Sequence, residues 1–173
     1  MKQAQRVPAE LKSLAKRVVD LGAIDAKVIK ASSVVTAGWV RLKCQYGCDG
    51  YGSSLCCPPN TPTPEETRKV IDGYETALLA NFRVNGSSTK AMVTLERATF
   101  LEGYYKAFAL GAGPCMLCKS CPEDGCKHPD QARPSMEACG IDVYATARGN
   151  GYPIQVVRGE DSEQNYYGLL LVE

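Results

Sequence analysis

The stretch "YETALLANFRV", residues 74–84, decides the fold. Its middle, Ala77-Leu78-Leu79-Ala80, is an unbroken apolar run between Gly73 and the turn-forming Asn85-Gly86 pair, which predicts a strand with a buried middle. Upstream, Thr63 can cap a helix with Pro64 at its first position and Glu65 and Glu66 in its first turn. That helix is expected to run to about Asp72 and to end at Gly73. Downstream, "NGSS" (85–88) reads as a loop and "KAMVTL" (90–95) as a short strand. A helix is expected across 96–110, where Ala98, Leu101, Tyr105 and Phe108 share a face, with "GAGP" (111–114) stopping it.

Towards the N-terminus, residues 8–21 read as an amphipathic helix. Leu11, Leu14, Ala15, Val18 and Leu21 recur at helical spacing, Pro8 opens the helix and Gly22 closes it. "AKVIKASSVV" (26–35) and "WVRLKC" (39–44) read as strands. Towards the C-terminus, Ser135 and Asp142 are candidate caps of two short helices ending near Gly140 and Gly149. "YPIQVV" (152–157) and "YYGLLLV" (166–172) suggest a closing hairpin. Helices alternate with strands, so the expected class is α/β or α+β: a single metal-binding domain over 1–173 with a small mixed sheet flanked by helices, and cysteine-rich loops.

Composition excludes more than it selects. The chain has 173 residues, 45% apolar and 23% charged, with a net charge of +1. That balance gives no push towards nucleic acid or a membrane surface. The first twenty residues lack an apolar leader core, so a cytoplasmic location is expected. Nine cysteines are the anomaly. An odd number, clustered and without a leader, points to metal ligands or redox groups rather than a disulfide framework. The single histidine, His128, restricts zinc sites to all-Cys or nearly all-Cys.

"CMLCKSCPEDGC" places Cys115, Cys118, Cys121 and Cys126 at C-x2-C-x2-C-x4-C. Two-residue gaps let the backbone curl so that successive thiolates converge, as in ferredoxin-type runs that hold a cubane cluster. Here the last gap is longer, and Pro122 follows the third cysteine rather than the fourth. The fourth ligand therefore stays open among Cys126, Cys139 and a thiolate of the other group. A structural zinc is the alternative metal. Gly111 and Gly113 permit a tight turn whose N–H groups would point at sulfurs. Lys119, Lys127, His128 and Arg133 either offset cluster charge or are solvated loop charges.

The other group is "CQYGCDGYGSSLCCPP", residues 44–59. Cys44, Cys48 and Cys57 are its candidate ligands, in a loop that Gly47, Gly50 and Gly52 free to fold. Cys57 precedes Pro58 and is pushed towards extended backbone. Adjacent side chains then point to opposite sides, so Cys56 and Cys57 do not reach one metal. Cys56 is left a buried or second-centre role. The fourth ligand of this site is open between Cys126, Cys139, Cys56 and none. Tyr51 stands where a radical-SAM loop would have its third cysteine, which argues against that chemistry.

Together with "GAGPCMLCKSCPEDGCKHPDQARPSMEACGIDV" (111–143), this stretch resembles a Cys-rich family of predicted metal-binding, iron–sulfur-type proteins common in anaerobic bacteria and archaea. The resemblance runs from about residue 40 to the C-terminus. It implies metal binding by Cys44, Cys48, Cys57, Cys115, Cys118, Cys121 and Cys126, gives Cys56 no role, and carries no settled reaction.

The leading expectation is an iron–sulfur protein with one or two [4Fe–4S] clusters, working in electron transfer with a redox protein partner. No nucleic-acid or membrane partner is expected, and a homodimer is left open. Two other readings stand beside it: an enzyme using a [4Fe–4S] cluster with an open coordination site, for which Tyr46, Tyr51 and Glu123 are candidate proton donors, and a zinc-stapled interaction module.

Overall fold

A computed structural model describes residues 9–83, 87–152, 154–159 and 162–173. Its helices are α1 (Ala9–Asp20), α2 (Gly38–Gly47), α3 (Pro64–Ile71), α4 (Ser87–Leu101) and α5 (Val143–Gly149). Its strands are β1 (Asp25–Lys30), β2 (Thr76–Phe82), β3 (Phe108–Leu110) and β4 (Tyr166–Leu171), with 3-10 turns at Ala31–Ser33 and Glu137–Cys139. The strands form one sheet in the order β1-β2-β4-β3. All three pairings are antiparallel, so the fold is α+β and the sheet is not mixed. The last strand in the chain inserts between β2 and β3, setting Leu79 opposite Leu169 and Leu110 opposite the same Leu169 on its other side.

Both faces of this sheet are covered. Ala77, Leu79, Leu169 and Leu171 face a cluster completed by Ile71 of α3, Met136, Ile141, and Val143 and Ala147 of α5. Leu78, Ala80, Phe82 and Leu170 face the other side, against Leu11, Leu14 and Val18 of α1 and Ala91, Met92 and Leu95 of α4. A strand buried on both faces has no reason to alternate, which is why "TALLANF" and "YYGLLL" read as continuous apolar runs.

Local signals hold where caps carry them. The Thr63 side chain accepts from the Glu66 N–H while Glu66 accepts from the Thr63 N–H, a complete capping box on α3. Asp142 accepts from the Ala145 N–H at 2.9 Å to open α5. Ser135 accepts from the Ala138 N–H at 3.1 Å, and the turn it supports ends at Gly140, whose φ of 73° suits glycine.

Several expected elements are corrected. "WVRLKC" lies in α2 and is not a strand; Leu, Arg, Lys and Gln favour helix, and a short apolar run cannot decide between the two. "KAMVTL" lies inside α4, which also takes in Ser87 and Ser88 of the expected loop. The helix expected over 96–110 ends at Leu101, where Gly103 takes φ 104°, and Phe108–Leu110 is β3. The buried stripe of α4 contains Ser88 and Thr99, polar residues that hydrophobic periodicity does not register, whereas Leu101 and Tyr105 are exposed. The described residues of "YPIQVV" form no strand: Tyr152 packs edge-on against Tyr167 and donates to the Leu79 carbonyl, while β4 pairs with β2 and β3. Strand β1 also stops at Lys30, short of the expected Val35. Pro8, Val84, Asn85, Gly86 and Pro153 lie outside the described residues. Among those described, no helix is long and apolar enough to cross a membrane.

Candidate metal centre

Helix α2 decides the first thiol group. Cys44 lies in its last turn and Cys48 is its C-cap, so the C-x3-C spacing becomes i,i+4 on one side of a helix end. The following loop then returns Cys57 to the same place. A Cβ on Gly50 would lie 3.4 Å from the Cys48 sulfur and 3.9 Å from the Cys57 sulfur, so glycine leaves open the space between two thiols. The return is held by the Gly52 N–H donating to the Pro58 carbonyl at 2.7 Å. Arg41 of α2 donates to the Thr61 and Pro62 carbonyls at 3.2 and 2.5 Å, and the Thr61 hydroxyl donates to the Ala138 carbonyl at 2.5 Å. Burial pushes the Cys44 thiol pKa up, with the Cys48 and Glu137 charges adding to the shift and Arg41 opposing it.

The second group sits on a long excursion pinched at its base. Gly111 and Ser135 form a parallel bridge, with the Gly111 N–H donating to the Pro134 carbonyl at 2.9 Å and the Met136 N–H to the Gly111 carbonyl at 3.1 Å. Arg133 fixes that base to α4 through two bonds to Glu96, at 2.8 and 2.5 Å, each side chain only 13% exposed. Glu96 also accepts from the Ala109 N–H at 2.7 Å. Arg133 is therefore a buried anchor and not a solvated loop charge. The Gly111 N–H is committed to Pro134, so it does not point at a sulfur. Two other backbone groups do: Leu55 donates to the Cys121 sulfur and His128 to the Cys126 sulfur, both at 3.4 Å.

The neighbouring cysteines 56 and 57 part company. Cys57 lies with Cys48 beside Gly50 and near Cys44, whereas the Cys56 thiol has Cys115 and Cys126 as its charged neighbours across the loops. Burial first, then these thiols, push the Cys56 pKa up to about 12. Cys139 joins neither group. It is 3% exposed within the cluster on the Leu79 face of the sheet, and burial pushes its pKa up to about 12.

All nine thiols are free. Among the described residues, no three His, Cys, Asp or Glu side chains converge closely enough to hold a single metal ion. The thiols stand in neighbouring sets that a bound metal would draw together. The donor set is sulfur-rich, which suits zinc or an iron–sulfur centre, and the open space at Gly50 lies where such a group would be held.

A cavity of about 470 Å³ opens beside the first group. Cys44, Cys48 and Glu137 line it, and Ile141, Val143 and Tyr167 contribute apolar wall. The Tyr167 hydroxyl is buried without a partner. Glu137 is an exposed residue at the cavity rim, and crowding by the surrounding protein raises its pKa; its own backbone N–H and the Ser135 hydroxyl partly offset this. Tyr46, Tyr51 and Glu123, the proton donors suggested by sequence proximity, do not line the cavity. Glu137 was missed because no spacing ties it to Cys44; packing of α2 on the 137–139 turn does.

In comparison with known proteins, the family described as predicted metal-binding protein (DUF2284) matches residues 27–172. No curated protein and no solved structure gives a significant match.

Proposed function

The chain belongs to this family of predicted metal-binding proteins, and from that premise we propose that it is an iron–sulfur protein exchanging single electrons with a redox protein. The observation that carries the reading is the meeting of two cysteine loops, distant in sequence, where the Leu55 N–H just before Cys56–Cys57 donates to the Cys121 sulfur at 3.4 Å. A [4Fe–4S] cluster, when bound, supplies reversible one-electron transfer. Cys44, Cys48 and Cys57 would hold one centre, and Cys115, Cys118, Cys121 and Cys126 would supply the other. The Leu55 and His128 N–H groups already aim at sulfurs, and such bonds tune the potential of a bound cluster. Met116 and Leu117 are exposed beside Cys115 and Cys118, an apolar edge on which a redox protein would dock. Free thiols in this number suit a reducing compartment such as the cytoplasm.

Anaerobic purification followed by iron, sulfide and zinc analysis and EPR of the reduced protein tests this. Stoichiometric iron and sulfide with a reducible signal support it. Zinc without sulfide overturns it in favour of a zinc-stapled interaction module.

The cavity at Cys44 and Cys48 favours a second reading, an enzyme in which the three-thiolate centre keeps one position for a small ligand. Glu137 would then be the group that holds a proton at the cavity. Ligand-induced change in the EPR signal, lost when the cavity is filled by Val143→Trp, is the expected result. A spectrum indifferent to every small ligand tried, cyanide and carbon monoxide included, would sink this second reading.

A further inference from the structure

We infer that Cys56 is a metal ligand of the second cysteine loop, so that one peptide unit, Cys56–Cys57, bridges two metal centres. This deepens the iron–sulfur reading and rests on it. Four observations place Cys56 there. Its thiol lies near enough to those of Cys115 and Cys126 to feel their charges. The Leu55 N–H immediately before it donates to the Cys121 sulfur at 3.4 Å, so the segment is docked on the second loop before Cys56 is reached. The backbone orientation is fixed from one residue: the Cys56 N–H donates to the Ser54 hydroxyl and the Cys57 N–H to the Ser54 carbonyl, each at 3.1 Å. The Arg133 guanidinium, anchored on Glu96, lies near enough to feel a Cys56 thiolate, a positive charge on the side where a thiolate-ligated cluster would add negative charge.

Cys57 meanwhile takes the other side with Cys44 and Cys48. Consecutive Cα atoms are about 3.8 Å apart, so the two centres would share a covalent path one peptide long. Cys56 brings the second loop to five thiols, one more than a cubane has irons to ligate. The surplus thiol is then available to complete the first centre, as crossed ligands do in two-cluster ferredoxins.

The test compares anaerobically purified wild type, Cys56→Ser, Cys57→Ser and Cys139→Ser by iron and sulfide content and by EPR after full reduction. Wild type is expected to show a spectrum broadened by coupling between two neighbouring paramagnets. Cys56→Ser should lose up to about half the iron, or shift the second centre's potential, and leave the uncoupled signal of the first. Cys57→Ser should leave the uncoupled signal of the second, and Cys139→Ser should behave as wild type. Wild-type iron, potential and coupling in Cys56→Ser would overturn the inference.

A measurement on unaltered protein guards against a variant that fails to fold. In the metal-loaded chain Cys56 should resist alkylation by iodoacetamide, and it should react after chelation. Equal reactivity in both states overturns the inference, whatever metal the protein holds. Wild type lacking iron and sulfide overturns the iron–sulfur reading instead, so the two failures are distinct.

Discussion

At the residue scale, Gly50 shows how a missing side chain can be functional. A Cβ there would make only ordinary contact with the Cys48 and Cys57 sulfurs, so the metal-free chain should tolerate one. A branched side chain would fill the space between the thiols. Gly50→Val is expected to lower metal content at the first centre severalfold while changing metal-free stability by less than about 1 kcal/mol. Metal analysis and denaturant titration check the two halves of that statement; equal metal content would show that Gly50 guards nothing. Cys139 is the opposite case, a cysteine near the loops in sequence that belongs to the core. Its folded pKa of about 12 lies above the ordinary 9.0. The folded chain therefore keeps a proton that the unfolded chain releases between these values. Stability from this site is complete below about pH 9 and lost as pH rises towards 12. Cys139→Ala in the metal-free protein should flatten the decline of the denaturant midpoint across that range. An unchanged slope would mean that the buried thiol does not contribute.

At the element scale, α2 and α4 show what the strand readings lost. As a strand, 39–44 would have sent alternate side chains to opposite faces; as the end of a helix, it delivers Cys44 and Cys48 to one side. Helix α4 contributes to the second loop through Glu96, which holds both Arg133 and the Ala109 N–H of β3. Arg133→Leu leaves Glu96 without its cation. The expected cost is about 2 kcal/mol, below that of a fully buried pair because both side chains keep some access to water. Adding Glu96→Gln should recover part of that loss, since Gln removes the unpaired charge and keeps an acceptor for Ala109. Chemical denaturation of the two variants decides: a double variant less stable than Arg133→Leu would contradict the assignment.

At the scale of the molecule, the sheet is built independently of the metal. Among the nine cysteines only Cys139 belongs to either of the two clusters that cover its faces. Chelation should therefore raise hydrogen exchange across 44–61 and 112–134 and leave protection in β2 and β4 unchanged. This behaviour differs from that of small metal-dependent domains that unfold when stripped. Loss of protection in β2 on metal removal would show that the loops carry the fold.

The sequence by itself determined the elements whose signals are local. The Thr63 capping box, the Asp142 cap and the apolar runs of β2 and β4 each fall within a few residues, and the paired cysteine motifs point to metal binding without any partner in view. The X-Pro rule at Cys57–Pro58 led to the expectation of an extended Cys56–Cys57 pair, but Cys56 lies in a turn closed by the Cys57 N–H on the Ser54 carbonyl. Only the tertiary structure decided where each of them goes. The pinch of Gly111 against Ser135 and the packing of α2 on the 137–139 turn bring Cys56 to Cys115 and Glu137 to Cys44. These contacts depend on a sheet in which the last strand enters between β2 and β3, and no local spacing encodes that insertion.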